Sequence, residues 1–114
     1  MRTFLLGVAV LAFSSSVALA DDIMASRYGN TTVTTEANGV QLKFYYNADG
    51  TFTGKQGDQG FNGTWKLDGS TICLTFAQPM AGAPNPTCLP VAAHKVGDSW
   101  KGGDRTVSLV QGIQ

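Results

Sequence analysis

Apolar and polar residues alternate with a period of two along most of the chain beyond Asn30, which is typical of β-strands. No segment keeps a helical period for as many as three turns. The alternating runs are separated by turn sequences in which glycine follows a small polar residue or another glycine: Asn38-Gly39, Asp49-Gly50, Asp68-Gly69 and Gly102-Gly103-Asp104. These sequences tolerate the positive φ angles of tight hairpins, so the pattern predicts an antiparallel meander.

The alternation predicts an all-β domain of seven or eight short strands, curled into a small barrel or a strongly twisted half-barrel. The predicted strands are Thr31 to Glu36, Val40 to Tyr46, Thr51 to Lys55, Gly63 to Leu67, Thr71 to Ala77, Thr87 to Ala92, Asp98 to Lys101 and Arg105 to Val110. The apolar side chains on the predicted core face are Val40, Leu42, Phe44, Tyr46, Phe52, Trp65, Leu67, Ile72, Leu74, Phe76, Leu89, Val91, Val107 and Leu109. The stretches KQGDQG, residues 55–60, and AQPMAGAPNP, residues 77–86, are predicted to be exposed loops.

Cys73 and Cys88, the two cysteines of the chain, both point away from the predicted core, because their neighbours Ile72 and Leu89 define its face. If the fifth and sixth strands pair antiparallel, both sulfurs lie on one outer face. We therefore predict a disulfide that closes a loop of about fifteen residues and contributes roughly 3 kcal/mol in the chain-entropy model. Two free thiols or a metal pair are the alternatives. Pro90 in the sixth strand lacks an N–H, which predicts an edge strand or a bulge.

The first twenty residues, MRTFLLGVAVLAFSSSVALA, have the features of a secretory signal peptide. Arg2 supplies the positive charge, an apolar run follows, and Ala18-Leu19-Ala20 is a small-x-small cleavage signal. A membrane anchor or a core helix is the alternative. Cleavage after residues 1–20 would leave a single β domain, residues 21–114, in a secreted or periplasmic compartment, with no membrane span. Residues 21–30 are polar and are predicted to be disordered or helical.

Composition argues against several classes of partner and cofactor. The chain has eight Lys and Arg against eight Asp and Glu and no basic stripe, so nucleic acid is not an expected partner. One histidine and no CxxC motif make a zinc site unexpected. Met24, Met80 and His94 form an alternative set of soft copper ligands, but their spacing carries no motif. No cofactor and no metal are therefore predicted.

His94 is the only histidine and is the candidate for a catalytic base. Asp98 lies near it in sequence and could orient it, and Tyr45 is a third candidate for the same cleft. No serine or threonine lies in a nucleophile-elbow sequence, and the acidic residues mostly mark turns. The chain is therefore predicted not to be an enzyme, with a minimal enzyme built on His94 as the alternative.

Five residues are candidates for binding a partner. Tyr45 and Lys43 lie on the outer face of the second predicted strand, where an exposed aromatic ring beside a cation suits a binding surface. Trp65 and Trp100 fit the core but could border a pocket, and His94 is a further candidate. The alternative is that the aromatic residues only form the cross-strand pairs that stabilise sheets.

Together these features predict a non-catalytic binding module, either a small-ligand binder or a hydrolase inhibitor. It is expected to be a monomer whose partner is an unknown protein or a small molecule. The alternative is a structural envelope protein that self-associates through an uncovered sheet edge.

The stretch GTWKLDGSTICLTF, residues 63–76, resembles the Trp-then-Cys stretch of small periplasmic barrel inhibitors of secreted metalloproteases. The resemblance implies a barrel fold and inhibition of a hydrolase. That family has a longer cysteine loop, and its protease-contacting N-terminal segment has no residue-by-residue counterpart in this chain. No site residue is carried over from it.

Overall fold

The computed structural model describes residues 23–79 and 82–114, and within them the fold is all-β, as predicted. A short helical turn, Ala25–Arg27, precedes eight strands. The strands are β1 Thr31–Thr35, β2 Gln41–Tyr46, β3 Thr51–Gln56, β4 Gln59–Asp68, β5 Thr71–Phe76, β6 Thr87–Pro90, β7 Ser99–Gly102 and β8 Arg105–Val110. The predicted signal peptide, residues 1–20, and the candidate copper ligand Met80 lie outside the described residues.

All eight strands belong to one antiparallel sheet in the order β6-β5-β4-β3-β2-β1-β8-β7. The sheet curls into a nearly closed barrel because β8 returns to pair with β1, with Thr32 opposite Leu109. The strands β6 and β7 stand at the two ends of the sheet, and no ladder joins them in the described part of the chain. We call this gap between β6 and β7 the seam. The predicted antiparallel meander is confirmed, and of the two predicted forms, a barrel or a half-barrel, the structure has a nearly closed barrel.

The core fills the barrel with side chains from the inward positions of β2 to β5, as the period-two pattern predicts. Phe52 is its most central ring, and it packs edge-on against Phe76 with ring centroids 5.2 Å apart. The buried members are Ile23, Met24, Phe44, Tyr46, Phe52, Trp65, Ile72, Leu74 and Phe76. Aromatic rings in mutual edge-to-face contact bury large apolar areas and stabilise such a small core.

The prediction of a loop over residues 55–60 is wrong. The strands β3 and β4 form a tight hairpin in which Gln56 pairs with Gln59 across the two-residue turn Gly57-Asp58. Gly57 and Gly60 suggested the loop, yet Gly57 occupies the turn with a positive φ of 62°, and Gly60 pairs with Lys55 inside the ladder. Within β3, Gly54 makes room for packing, because a side chain there would collide with the ring of Phe61.

The predicted disulfide between Cys73 and Cys88 is confirmed. The two residues lie directly opposite each other in the β5–β6 ladder, and the adjacent pair Ile72 and Leu89 faces the barrel interior, so the sulfurs lie on the outer face. Pro90 closes β6, which is an edge strand of the sheet, as its missing N–H predicts.

The polar segment before β1 is helical, which is one of the two predicted outcomes, and it packs into the barrel. Met24 is fully buried and Ile23 is 8% exposed, so both belong to the core. Arg27, one turn later, is only 4% exposed. No helix in the part of the chain that the structure describes is long and apolar enough to cross a membrane.

Candidate functional site

A cavity of about 540 Å³ lies beside the seam and reaches into the barrel interior. Its lining comes from both sides of the seam, with Leu89 of β6 on one side and Trp100 of β7 on the other. Further apolar surface comes from Ile72, Val91 and Val107. Concave, mostly apolar cavities of this size with a few inward polar groups are typical sites for small molecules.

Arg27 is the buried cation of this cavity. Its guanidinium donates hydrogen bonds to the main-chain oxygens of Ile23, at 2.6 Å, and Ala92, at 3.1 Å. The guanidinium carbon lies 5.7 Å from the ring centroid of Trp100, in cation–π contact. Burial lowers the pKa of Arg27, with an opposing effect from Tyr46. An arginine nevertheless keeps its charge in proteins, so the cavity contains a fixed positive charge.

The charge of Arg27 has no carboxylate partner among residues 23–79 and 82–114. The two contacts found there between a basic side chain and a carboxylate join Arg105 to Glu36, at 3.1 Å, and His94 to Asp98, at 3.5 Å. None of the described residues that line the cavity is an Asp or a Glu. The positive charge of this guanidinium is therefore stabilised by the main-chain oxygens of Ile23 and Ala92 and by the ring of Trp100.

Thr32 and Tyr46 add polar groups to the cavity lining. Thr32 is 6% exposed, and its hydroxyl has no hydrogen-bond partner in the described residues. The neighbouring Thr31 is satisfied, because its hydroxyl donates to the main-chain oxygen of Gly112 and accepts from the N–H of Gln114, both at 2.8 Å. Burial strongly raises the pKa of Tyr46, against the effect of the Arg27 charge, so its phenol stays protonated. Thr32 thus brings a buried hydroxyl without a hydrogen-bond partner to the lining of the cavity.

His94 and Trp100 stack beside the cavity, with ring centroids 3.4 Å apart and planes 4° from parallel. The Nδ1 atom of His94 lies 3.5 Å from a carboxylate oxygen of Asp98. The same oxygen accepts the N–H of Lys95 at 2.9 Å, and that bond is the main reason why the pKa of Asp98 is lowered, with His94 adding to it. The imidazole of His94 is therefore held in place by the ring of Trp100 and the carboxylate of Asp98.

The structure separates the five candidate binding residues into three places. His94 and Trp100 line the cavity. Trp65 is a core residue whose indole N–H donates to the main-chain oxygen of Asn47 at 3.0 Å. Lys43 and Tyr45 lie on the outer face of β2, where each donates to the main-chain oxygen of Gln114 at 3.4 Å.

The enzyme alternative required His94, Asp98 and Tyr45 to meet in one cleft. His94 and Asp98 do lie together, but Tyr45 projects from the opposite face of the sheet to Tyr46, which lines the cavity. Of the candidate copper ligands, Met24 is buried in the core. No cluster of three or more His, Cys, Asp or Glu side chains suited to a metal occurs in the ranges 23–79 and 82–114.

A second depression, of about 690 Å³, lies between the β1–β2 turn and the β3–β4 turn. Lys43 and Lys55 both line it and lie opposite each other in the β2–β3 ladder. Lys55 is exposed, Lys43 is half-buried, and none of the described residues that line this depression is buried. Its shape and chemistry fit a solvated surface better than a ligand site.

Sequence reasoning missed Arg27 and Thr32, which supply the cavity with its most unusual groups. Arg27 lies in a segment without periodicity. In β1, Val33 is the only apolar residue, so the pattern favours Val33 as the inward one. The structure has the opposite phase: Val33 lies across from Lys43, and Thr32 faces the interior across from Phe44. The long-range pairing of β1 with β2 and β8 decides this phase.

Comparisons with known proteins give no family for this chain. No protein-family model matches it, and neither a curated protein nor a solved structure matches it. The cavity beside the seam, with its buried guanidinium and unpaired hydroxyl, is therefore the feature on which a functional hypothesis can rest.

Proposed function

We propose that this chain is an exported, non-catalytic module that binds a small, largely apolar molecule in the cavity beside the seam. The observation that carries the proposal is the composition of that cavity: apolar side chains surround one buried cation and one buried hydroxyl without a partner. Such polar groups cost stability when unpaired, and a ligand can satisfy them. The leader-like first twenty residues and the disulfide support export.

The surroundings of His94 favour binding over catalysis. One face of its ring is covered by Trp100, and its Nδ1 atom is directed at Asp98 in a short turn. No serine, threonine or cysteine donates to the imidazole in the described residues. A stacked imidazole of this kind shapes the cavity, and no residue that the structure describes beside it supplies a nucleophile.

A small-ligand binder is preferred to a hydrolase inhibitor because of the segment before β1. An inhibitor that reaches into a protease needs an extended arm, whereas Ile23 and Met24 are packed in the core and Arg27 is tied to Ala92. The concave part of the described structure also fits a small molecule better than a protein segment.

The test is a titration of the disulfide-intact protein with octan-1-ol, followed in ¹H–¹⁵N NMR spectra. We expect shifts concentrated at residues that line the cavity. Val107→Phe, which fills the cavity, should weaken binding about ten-fold or more, since the added ring occupies ligand volume. Val33→Phe adds the same bulk on the outer face of β1 and should leave the affinity unchanged. Shifts spread over the surface, or equal losses in both variants, would contradict the proposal.

A further inference from the structure

The buried polar groups of this cavity indicate the charge of its ligand. Resting on the proposed function above, we propose that the ligand is a small amphipathic monocarboxylate. Its carboxylate binds the guanidinium of Arg27 and the hydroxyl of Thr32, and its apolar body lies against Ile72, Leu89 and Val107.

Arg27 is the group that we assign to bind the carboxylate. A guanidinium has five N–H donors in a planar fork that fits a carboxylate, and the hydrogen bonds of Arg27 use only two main-chain oxygens, those of Ile23 and Ala92. No carboxylate of the described residues pairs with it. A buried charge without a counter-ion is costly, so an anion has a strong reason to enter.

Thr32 points to the same ligand through a separate observation. Its hydroxyl is the one buried side-chain polar atom of the described residues that has no hydrogen-bond partner. A hydroxyl donates to a carboxylate oxygen in a charge-assisted bond, which is stronger than a bond between neutral groups. The hydroxyl of Thr32 is therefore the natural second donor to the same ligand.

The remaining lining sets the number of charges and the character of the rest of the ligand. Among the described residues, Arg27 is the one buried lysine or arginine that lines the cavity; Lys101 is exposed, and the half-buried Arg105 is already paired with Glu36. A single buried cation balances a single negative charge. The apolar surface of Ile72 and Leu89 leaves no place for a second charge, so a monoanion with an apolar body fits better than a phosphate dianion.

The first experiment compares three probes of eight carbons that carry different head groups: octanoate, octan-1-ol and octylammonium, titrated at neutral pH into the disulfide-intact protein. We expect octanoate to bind about ten-fold or more tightly than octan-1-ol, and octylammonium to bind most weakly, because hydrogen bonds to a charged group are the stronger ones. Equal affinities for octanoate and octan-1-ol would overturn the charge assignment and leave the proposed function standing. Failure of all three probes to bind would overturn both.

The second experiment uses Thr32→Val, which replaces the hydroxyl by a methyl group of similar size. We expect it to weaken octanoate binding about five-fold while the melting temperature stays constant or rises, because a buried unpaired hydroxyl is removed. A purely structural hydroxyl would lower the melting temperature and leave affinity unchanged, which would contradict the proposal. Thr75→Val, at an exposed position of β5, is the matched control and should change neither quantity.

The third experiment removes the charge with Arg27→Gln, for which the ratio of octanoate to octan-1-ol affinity should fall to about one. Lys55→Gln, which removes an equal charge on the outer surface, should preserve the ratio. Because Arg27 also holds the segment before β1 to Ala92, Arg27→Lys serves where the glutamine variant does not fold: it keeps the charge but loses the fork, and the ratio should fall by a smaller factor. An unchanged ratio in a folded glutamine variant would overturn the role of Arg27.

Discussion

At the scale of single residues, Gly63 shows how closely the barrel is packed. It lies in β4 opposite Phe76, and a Cβ atom added there would collide with the main-chain oxygen of Thr75 and lie 2.8 Å from the ring of Phe52. The backbone of a paired strand cannot retreat without disturbing the ladder. Glycine is therefore required here by the packing of its neighbours, and not by an unusual backbone angle.

Gly63→Ala should consequently lower the free energy of unfolding by about 1–3 kcal/mol, the usual cost of overpacking. Gly60→Ala in the same strand is the control, because its added Cβ would meet nothing closer than the main-chain oxygen of Gly54 at 3.8 Å. Urea denaturation of the two variants measures the difference. Equal stability of the two would show that β4 moves away from β5 more easily than the structure implies.

Asp49 gives the protein a defined sensitivity to acid. In the β2–β3 turn its carboxylate accepts the hydroxyl of Thr51 at 2.6 Å and the N–H of the same residue at 3.0 Å. The hydroxyl bond is the larger cause, and together they hold the pKa of Asp49 below its ordinary value of 3.8. A depressed pKa in the folded state means that this stabilisation is complete above the unfolded value and is lost as the pH falls through the folded value.

We therefore expect the melting temperature to fall between about pH 4 and pH 2, and to fall less in Asp49→Asn, which has no proton to bind. Thermal unfolding followed by circular dichroism over this range measures the two slopes. Asp68→Asn is the control, since the Asp68 carboxylate accepts no hydrogen bond from any residue that the structure describes. Parallel slopes for the protein and Asp49→Asn would show that Asp49 makes no contribution.

At the scale of elements, the β5–β6 pair depends on its covalent link. The residues between the two strands cannot form a tight hairpin, and β6 has only four residues. Besides the disulfide, Asn85 bridges the loop: its side chain accepts the N–H of Phe76 at 2.9 Å and donates to the oxygen of the same residue at 3.1 Å. The register of β6 is thus held by the disulfide within the ladder and by the contact of Asn85 with Phe76 at the end of β5.

Replacing Cys73 and Cys88 together by alanine should lower the free energy of unfolding by roughly 3 kcal/mol, as expected for a closed loop with a sequence separation of 15. Guanidinium denaturation of the oxidised protein and the double variant measures the loss. Because Leu89 of β6 lines the cavity, octan-1-ol affinity should fall as well. An unchanged stability would mean that the side chain of Asn85 suffices to hold β6.

The elements also show which parts of the fold a sequence can predict. Strands such as β2 and β5 were predictable because large apolar residues alternate there with polar ones, and Cys73 and Cys88 follow from the same phase. The loop prediction over residues 55–60 was wrong because Gly57 and Gly60 suit a loop as well as a tight hairpin, and local sequence does not separate the two. The inward face of β1 was equally hidden, since threonine suits either face of a sheet.

At the scale of the whole molecule, closure of the barrel was the feature that the sequence left open. It depends on the pairing of β1 with β8, two strands from opposite ends of the domain, for which alternation offers no local signal. The cavity follows from this closure, because Thr32 comes from β1 and Val107 from β8. Of the residues that line the candidate site, the sequence therefore indicated Trp100 and His94 as binding candidates. It did not indicate Arg27, whose position depends on tertiary contacts.

The seam leaves two sheet edges, and these edges decide between a monomer and an assembly. Both β6 and β7 are four residues long, and β6 ends in Pro90, which offers no N–H to a neighbouring strand. Short edge strands, and an edge that ends in proline, are poor templates for pairing with another chain. The segment before β1 also reaches the connection between the two strands, where Ser26 donates to the main-chain oxygen of His94.

We therefore expect the disulfide-intact protein to sediment as a monomer over a hundred-fold range of concentration. Pro90→Val restores an N–H to β6 and should increase self-association, whereas Pro84→Val, in the exposed loop before β6, should not. Analytical ultracentrifugation of the three proteins compares them directly. A stable dimer of the unmodified chain would contradict the expected monomer. If Lys101→Pro in β7 disrupted that dimer, the result would favour a structural envelope protein assembled through the seam. Octan-1-ol binding would then compete with assembly, because both use the gap between β6 and β7.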